Sequence, residues 1–239
     1  MKALNTVTVL AALAACSPSP PKEEAATPQV LEGTKAYNRW DLPNLDDNVR
    51  NDTLLIYTTH ALGNGTFVMA AKNIDDTREG LRLVLYRARP DSSAEVLSAS
   101  KPAYDSEVML PTYFTTGDTA DGIIILANYG GRDSWGQNVF WLKDGRFADL
   151  GWLDVAERKW VELGDGKEQR AGNIAPRTTV TGQGEQFIFS FNTDSVLLYD
   201  DLQGRLNNLL PAAELRYVFD GQEMTLFIDG QPRHRRHPL

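Results

Sequence analysis

From about Val30 onward the chain is a succession of short apolar segments, cut at brief intervals by turn residues, and that punctuation leaves room for strands but not for long helices. Thr53–Thr59 (TLLIYTT), Thr66–Lys72 (TFVMAAK), Leu81–Arg87 (LRLVLYR), Gly122–Asn128 (GIIILAN) and Asn138–Lys143 (NVFWLK) are rich in β-branched, aromatic or other apolar residues. Gln186–Asn192 (QFIFSFN), Ser195–Tyr199 (SVLLY), Arg216–Phe219 and Glu223–Ile228 continue the series. Phe187, Phe189 and Phe191 alternate with Gln186, Ser190 and Asn192, as in a strand with one face in a core and the other in water. Gly63-Asn64-Gly65, Asp144-Gly145 and Asp220-Gly221 are hairpin candidates, because Asn-Gly and Asp-Gly accept the positive φ of a type I′ turn, and Gly182-Gln183-Gly184 marks another turn. Leu153–Trp160 and Pro211–Leu215 each have room for a helical turn or two. The tryptophans (Trp40, Trp135, Trp141, Trp152, Trp160) cluster instead of recurring at a blade period. The expected fold is therefore all-β, an antiparallel β-sandwich or open barrel, with a β-propeller-like arrangement as the alternative.

Composition narrows the setting. With 42% apolar residues in 239, a single β-rich domain over residues 31–232 has enough material for an ordinary core. A formal charge of −8 argues against nucleic-acid binding, which rests on clustered Lys and Arg. Cys16 is the one cysteine, so no internal disulfide is possible and packing must supply the stability.

The first sixteen residues carry a separate message. Met1-Lys2 is a weakly positive start, Val7–Leu13 an apolar run, and Ala14-Ala15 the small residues a signal peptidase needs. The run is far shorter than the roughly 20 residues that span a bilayer. Leu13-Ala14-Ala15-Cys16 resembles the lipobox of bacterial lipoproteins. The resemblance implies a leader over residues 1–15, cleavage before Cys16 and lipidation of its sulfur, hence attachment to a membrane of the cell envelope. Ser17 in place of Asp favours the outer membrane where the source has one. Cleavage would remove one Lys and take the formal charge from −8 to −9. Residues 16–30 hold four prolines between Ser17 and Pro28 and read as an extended tether, reaching roughly 40 Å at about 3.1 Å per residue.

The middle of the chain holds the remaining candidates. Tyr113-Phe114, Ser134-Trp135-Gly136 and Val139-Phe140-Trp141-Leu142 resemble signatures of uncharacterised bacterial lipoprotein domains, a likeness that implies nothing about activity. Gly117-Asp118-Thr119-Ala120-Asp121-Gly122 ahead of an apolar strand resembles one FG-GAP blade, which implies calcium held by Asp118 and Asp121. Ala120 replaces an oxygen ligand of that pattern, and calcium takes about six to eight oxygens, so an acidic turn is the plainer account. Gly130–Gly136 reads as a long glycine-flanked loop, with Tyr129, Arg132, Asp133, Ser134 and Trp135 as a candidate recognition surface. A Trp135 folded back over a sheet edge explains the same residues without a ligand.

Catalytic signatures are thin. Ser134 lacks a G-x-S-x-G elbow, and the histidines, His60, His234 and His237, stand at no metal-ligand spacing within the domain. The doublets Asp46-Asp47, Asp75-Asp76 and Asp200-Asp201 suit solvated turns, since adjacent side chains on a strand point to opposite faces. The basic tail, residues 233–239, suits a frayed terminus or a grip on an anionic partner. The expected function is a lipid-anchored envelope binding module with a protein or saccharide partner and no cofactor. The alternatives are a hydrolase using two separated carboxylates and a calcium-stabilised structural domain.

Overall fold

In the computed structural model the residues described are 33–45, 47–51, 54–74, 80–90, 94–102, 108–130, 135–164, 166–200 and 205–233, apart from the side chains of 47–51, 130, 135, 200 and 205–207. Among them are nineteen strands, three 3₁₀ turns and no α-helix. The first half of the chain forms β1 (Lys35–Trp40), β2 (Asp47–Asn51), β3 (Leu54–Gly63), β4 (Thr66–Asn73), β5 (Arg82–Ala88), β6 (Ala94–Ala99), β7 (Met109–Thr115) and β8 (Ile123–Gly130). Next come β9 (Trp135–Lys143), β10 (Arg146–Leu153), β11 (Val155–Leu163), β12 (Gly166–Gly172), β13 (Thr178–Gln183) and β14 (Gln186–Phe191). The chain closes with β15 (Ser195–Asp200), β16 (Arg205–Pro211), β17 (Leu215–Phe219), β18 (Met224–Ile228) and β19 (Gln231–Arg233).

The strands pair antiparallel in three sheets. Ten strands run in the order β10-β9-β8-β7-β1-β13-β14-β17-β18-β19, five as β2-β3-β4-β5-β6, and four as β12-β11-β15-β16. The all-β expectation is met, and a ten-stranded curled sheet with two smaller ones is an open barrel with sandwich packing, not a ring of blades.

Turn chemistry sets the register. Asn64-Gly65 (φ 52° and 69°) and Asp144-Gly145 (φ 50° and 72°) are two-residue turns between Gly63↔Thr66 and Lys143↔Arg146. Asp229-Gly230 (φ 52° and 73°) is a third such turn, which the sequence reading passed over. Asp220-Gly221 is different: the loop spans four residues between Phe219 and Met224. The Asp220 carboxylate accepts from the backbone N–H groups of Gln222 (2.8 Å) and Glu223 (3.0 Å). The helical turn expected at Leu153–Trp160 is absent, because Val155 and Ala156 are drawn into a ladder opposite Leu198 and Leu197. Tertiary pairing there overrides the helix propensity of Ala156-Glu157-Arg158-Lys159. Within Pro211–Leu215 one 3₁₀ turn, Ala212–Glu214, does form.

Curling of the large sheet makes the first core. Trp141 on β9 and Phe187 on β14 have four strands between them in the sheet, yet their rings lie 5.2 Å apart, edge to face. Phe114, Ile124, Leu126 and Val139 from β7–β9 meet Val180, Phe187, Phe189 and Tyr217 across the interior, and Val155, Val196 and Leu198 of the four-stranded sheet close it. The opposite face of β7–β9 carries Tyr113, Ile125, Ala127, Tyr129, Phe140 and Leu142, covered by Val68, Ala70, Leu83 and Leu85 of the five-stranded sheet. Strands β8 and β9 are thus buried on both faces, which is why Ile123–Ala127 is unbroken apolar sequence and not an alternation.

One element leaves the body. β11 pairs β15 only from Val155 to Glu157, while its pairing with β12 continues out to Leu163↔Gly166. Beyond Glu157 the two strands are a ribbon, with Trp160 57% and Leu163 45% exposed.

Gly122 is a backbone position where a side chain has no place. Its φ of 76° and ψ of −172° belong to glycine, and a Cβ there would lie 2.6 Å from Trp141 Nε1 and 2.8 Å from the Leu142 carbonyl oxygen. Gly122→Ala is expected to cost about 2–4 kcal/mol, strain and overpacking combined, as read by urea unfolding. A loss under about 0.5 kcal/mol would contradict this packing.

Candidate functional site

An antiparallel sheet with one face on a core normally turns polar residues to water. The five-stranded sheet does not. Its inner face gives Val68, Ala70, Leu83 and Leu85 to the core, while the alternate residues Met69, Ala71 and Val84 form a second apolar cluster on the far side, with Leu54, Ile56 and Tyr86 packed around it. Phe67 and Tyr86, directly opposite each other on β4 and β5, stack at 5.2 Å with an interplanar angle of 16°. The floor is concave, a hollow of about 190 Å³ lined by Leu54, Met69, Ala71, Val84, Val96 and Ala99, with Lys72, Asn73 and Arg82 also along it. Val96, 62% exposed, stands at its rim.

The sequence held a signal for this face that went unread. Phe67-Val68-Met69-Ala70-Ala71 and Leu83-Val84-Leu85-Tyr86 are continuous apolar runs, which on a strand means apolar residues on both faces. Nothing in the runs says how far the rest of the fold covers each face.

Of the loop read from sequence, Arg132, Asp133 and Ser134 lie outside the described residues, as do the Trp135 side chain and Cys16. The backbone shortens that loop: Gly130↔Trp135 and Tyr129↔Gly136 are ladder pairs, so four residues connect β8 to β9. Tyr129 points into the core beneath the five-stranded sheet, 5.4 Å from the Trp152 ring, and burial pushes its hydroxyl pKa up.

Asp118 and Asp121 sit on the turn before β8, both engaged by protein. Asp118 Oδ1 accepts from the Ala120 N–H at 2.9 Å and caps the 3₁₀ turn Thr119–Asp121. The Asp121 carboxylate accepts from Lys35 Nζ and from the Thr116 hydroxyl, each at 2.6 Å. Its backbone carbonyl accepts from Tyr37 (3.0 Å) and from the Trp141 indole (2.9 Å). The Lys35 bond, then that of Thr116, holds the Asp121 carboxyl below its ordinary 3.8, and the same Lys35 contact raises the lysine above 10.5. The carboxylate's contribution is lost as pH falls through its folded pKa, and the lysine's as pH rises through its own, so both are present between 3.8 and 10.5. This residue ties β1 and β9 to the turn. Among the described residues, no group of three or more His, Cys, Asp or Glu side chains is placed to share a metal ion.

Between the two sheets lies a polar inclusion. His60 is buried edge-on to Tyr113, ring centroids 5.2 Å apart, with Thr58 beside it on the inner face of β3. Neither ring nitrogen is aligned for a hydrogen bond, nor are the Thr58 and Tyr113 hydroxyls. Burial pushes the imidazole pKa below 6.5, and the Leu42 and Pro43 carbonyls pull the other way less strongly. His60 therefore folds neutral. Below 6.5 the unfolded chain takes up the proton first, so stability present above that pH is lost as pH falls. The melting temperature is expected to drop from roughly pH 7.5 to 5.5, and to drop less in His60→Leu, by scanning calorimetry. Identical pH slopes in the two proteins would show that His60 is not the group responsible.

Comparison with protein-family models, with curated proteins and with solved structures found no match to this chain.

Proposed function

We propose that this chain is a lipid-anchored binding module of the cell envelope that docks a protein partner on the outer face of β3–β6. The observation that carries the reading is the second apolar cluster of the five-stranded sheet, whose centre, Met69, Ala71 and Val84, is buried while Leu54, Ile56 and Tyr86 around it are half-buried and Val96 at its rim is exposed. Leaving Val96 and the half-buried Phe67–Tyr86 pair against water forgoes about 25 cal/mol for each Å² that a partner would cover. Aromatic residues and methionine are also the types enriched where proteins meet.

The size of the hollow selects the occupant. At about 190 Å³ it is smaller than the roughly 300–1,000 Å³ of sites that enclose small ligands. Its aliphatic floor has little to offer the hydroxyls of a saccharide. It suits an apolar side chain inserted from a protein surface, flanked by a carboxylate, since Lys72 and Arg82 line the same hollow. Among the described residues no helix is long and apolar enough to cross a membrane. Membrane attachment in this reading comes from lipidated Cys16 behind Leu13-Ala14-Ala15, with the outer membrane as the site where one exists.

A photo-crosslinker at Val96 in the native host, against one at Gln186 on another sheet, identifies the neighbour, and the purified pair is then titrated. Val96→Glu should weaken the reconstituted complex about tenfold or more. Affinity unchanged by Val96→Glu would remove the face from the proposal. Cys16→Ser should abolish incorporation of labelled palmitate, and label retained in that variant would sink the anchor.

A further inference from the structure

The β11–β12 ribbon is the other place where the fold leaves apolar surface in water. An isolated two-stranded ribbon is marginally stable at best, and this one carries Trp160, Val161 and Leu163 beyond the last pairing with the body. Past Glu157 no described strand pairs the β15 side of β11, so among the described residues its N–H and C=O groups are an open template for another strand. Natural edges of this kind are short, bulged or covered. This one runs from Arg158 to Leu163 with an indole in its middle.

The order of residues on that edge specifies the visitor. Arg158, Trp160 and Glu162 share one face of β11, and the Arg158 guanidinium already lies 5.8 Å from the centre of the Trp160 ring. Place a second β11 antiparallel to the first with a two-fold axis at Trp160. Each Arg158 then stands opposite the other copy's Glu162, the two indoles face each other at the centre, and Lys159 stands opposite Val161. Every charge on the Trp160 face of this edge meets its opposite, and both copies use the same segment, as a two-fold contact demands.

We propose that the edge of β11 from Arg158 to Glu162 is the docking surface for a second copy of this chain, antiparallel and two-fold about Trp160. This interface uses no residue of the β3–β6 face and stands or falls separately from the function proposed above. The register is palindromic in charge, which an unrelated strand would not require. Other occupants of the edge, such as a strand of a different protein, predict no self-association.

The test is sedimentation of the full chain carrying Cys16→Ser, so that neither a lipid nor the native thiol contributes to association. A monomer–dimer equilibrium is expected, weakened roughly tenfold by Arg158→Glu, which sets two like-charged pairs face to face. The exchange Arg158→Glu with Glu162→Arg should restore it, an outcome that a folding defect does not produce. As an independent measurement, Trp160→Cys in the same background should oxidise to a covalent dimer faster than Gln169→Cys, because cross-strand partners stand about 4.5–5.5 Å apart at Cα and so within disulfide reach. A chain that stays monomeric to high micromolar concentration overturns the proposal. So does a dimer indifferent to Arg158→Glu, a double exchange that fails to restore association, or equal oxidation of the two cysteine variants.

Discussion

Burial of β8 and β9 on both faces is the constraint on which the rest of the molecule depends. A sheet has two faces, and a core on only one of them would let the large sheet lie open. Here Ile124, Leu126, Val139 and Trp141 drive the sheet to curl onto Phe187 and Tyr217, while Ile125, Ala127, Phe140 and Leu142 hold the five-stranded sheet against its back. Removing bulk from either set loosens one layer and exposes the other. The Asp121 turn belongs to the same device, since its carbonyl takes the Trp141 indole proton and its carboxylate takes Lys35. The acidic loop that resembles a calcium blade thus works as a tie between strands.

Much of this was legible from the residues, and the reasons for the remainder are physical. The apolar strands were readable because burial leaves a compositional mark, and Phe187-Phe189-Phe191 is buried at each odd position as its alternation required. Polar strands leave no such mark. Gly166–Gly172 (GKEQRAG) is extended only because β11 lies beside it. The Asp-Gly pairs show the limit of turn chemistry: Asp144 takes positive φ, while Asp220 uses its carboxylate to cap a wider loop. Both are good turns, and the pair of letters does not choose between them. The outer face of β3–β6 stayed hidden for a related reason, since a continuous apolar run reports two apolar faces and is silent on whether both are covered.

Two departures from ordinary surface design remain, and they are the places where local rules and global fold disagree. A sheet that leaves Val96 exposed and Phe67 and Tyr86 half-buried on its outer face, and a ribbon that lifts Trp160 away from the body, each carry a cost in the isolated chain. Departures of this kind in a well-packed protein mark sites where something else completes the structure. By contrast, Asn128 and Gln137, opposite each other on β8 and β9, show how polar groups inside the curl are handled. The Asn128 amide nitrogen donates to the Leu110 carbonyl and the Gln137 amide nitrogen to the Val155 carbonyl, so the pair links strands, while Asn128 Oδ1 and Gln137 Oε1 are buried with no hydrogen-bond partner.

The ribbon and the outer face lie on different sheets and share no residue, so both proposals can hold in one molecule. Their combination has a consequence for a membrane-tethered protein that neither has alone. Two copies joined at Trp160 would bring to one assembly two termini, each with the diacylglyceryl anchor that the lipobox resemblance implies, and release would then need both anchors to leave together. They would also present two outer faces at an effective concentration set by the dimer, so a partner with two matching patches gains avidity without any new contact. An acidic protein gains little from electrostatic attraction to an anionic bilayer, so in the proposed reading the acyl chains on Cys16 would carry the attachment. On this view the weak, reversible character of a short edge contact is useful, because it ties the strength of partner binding to how many copies are present.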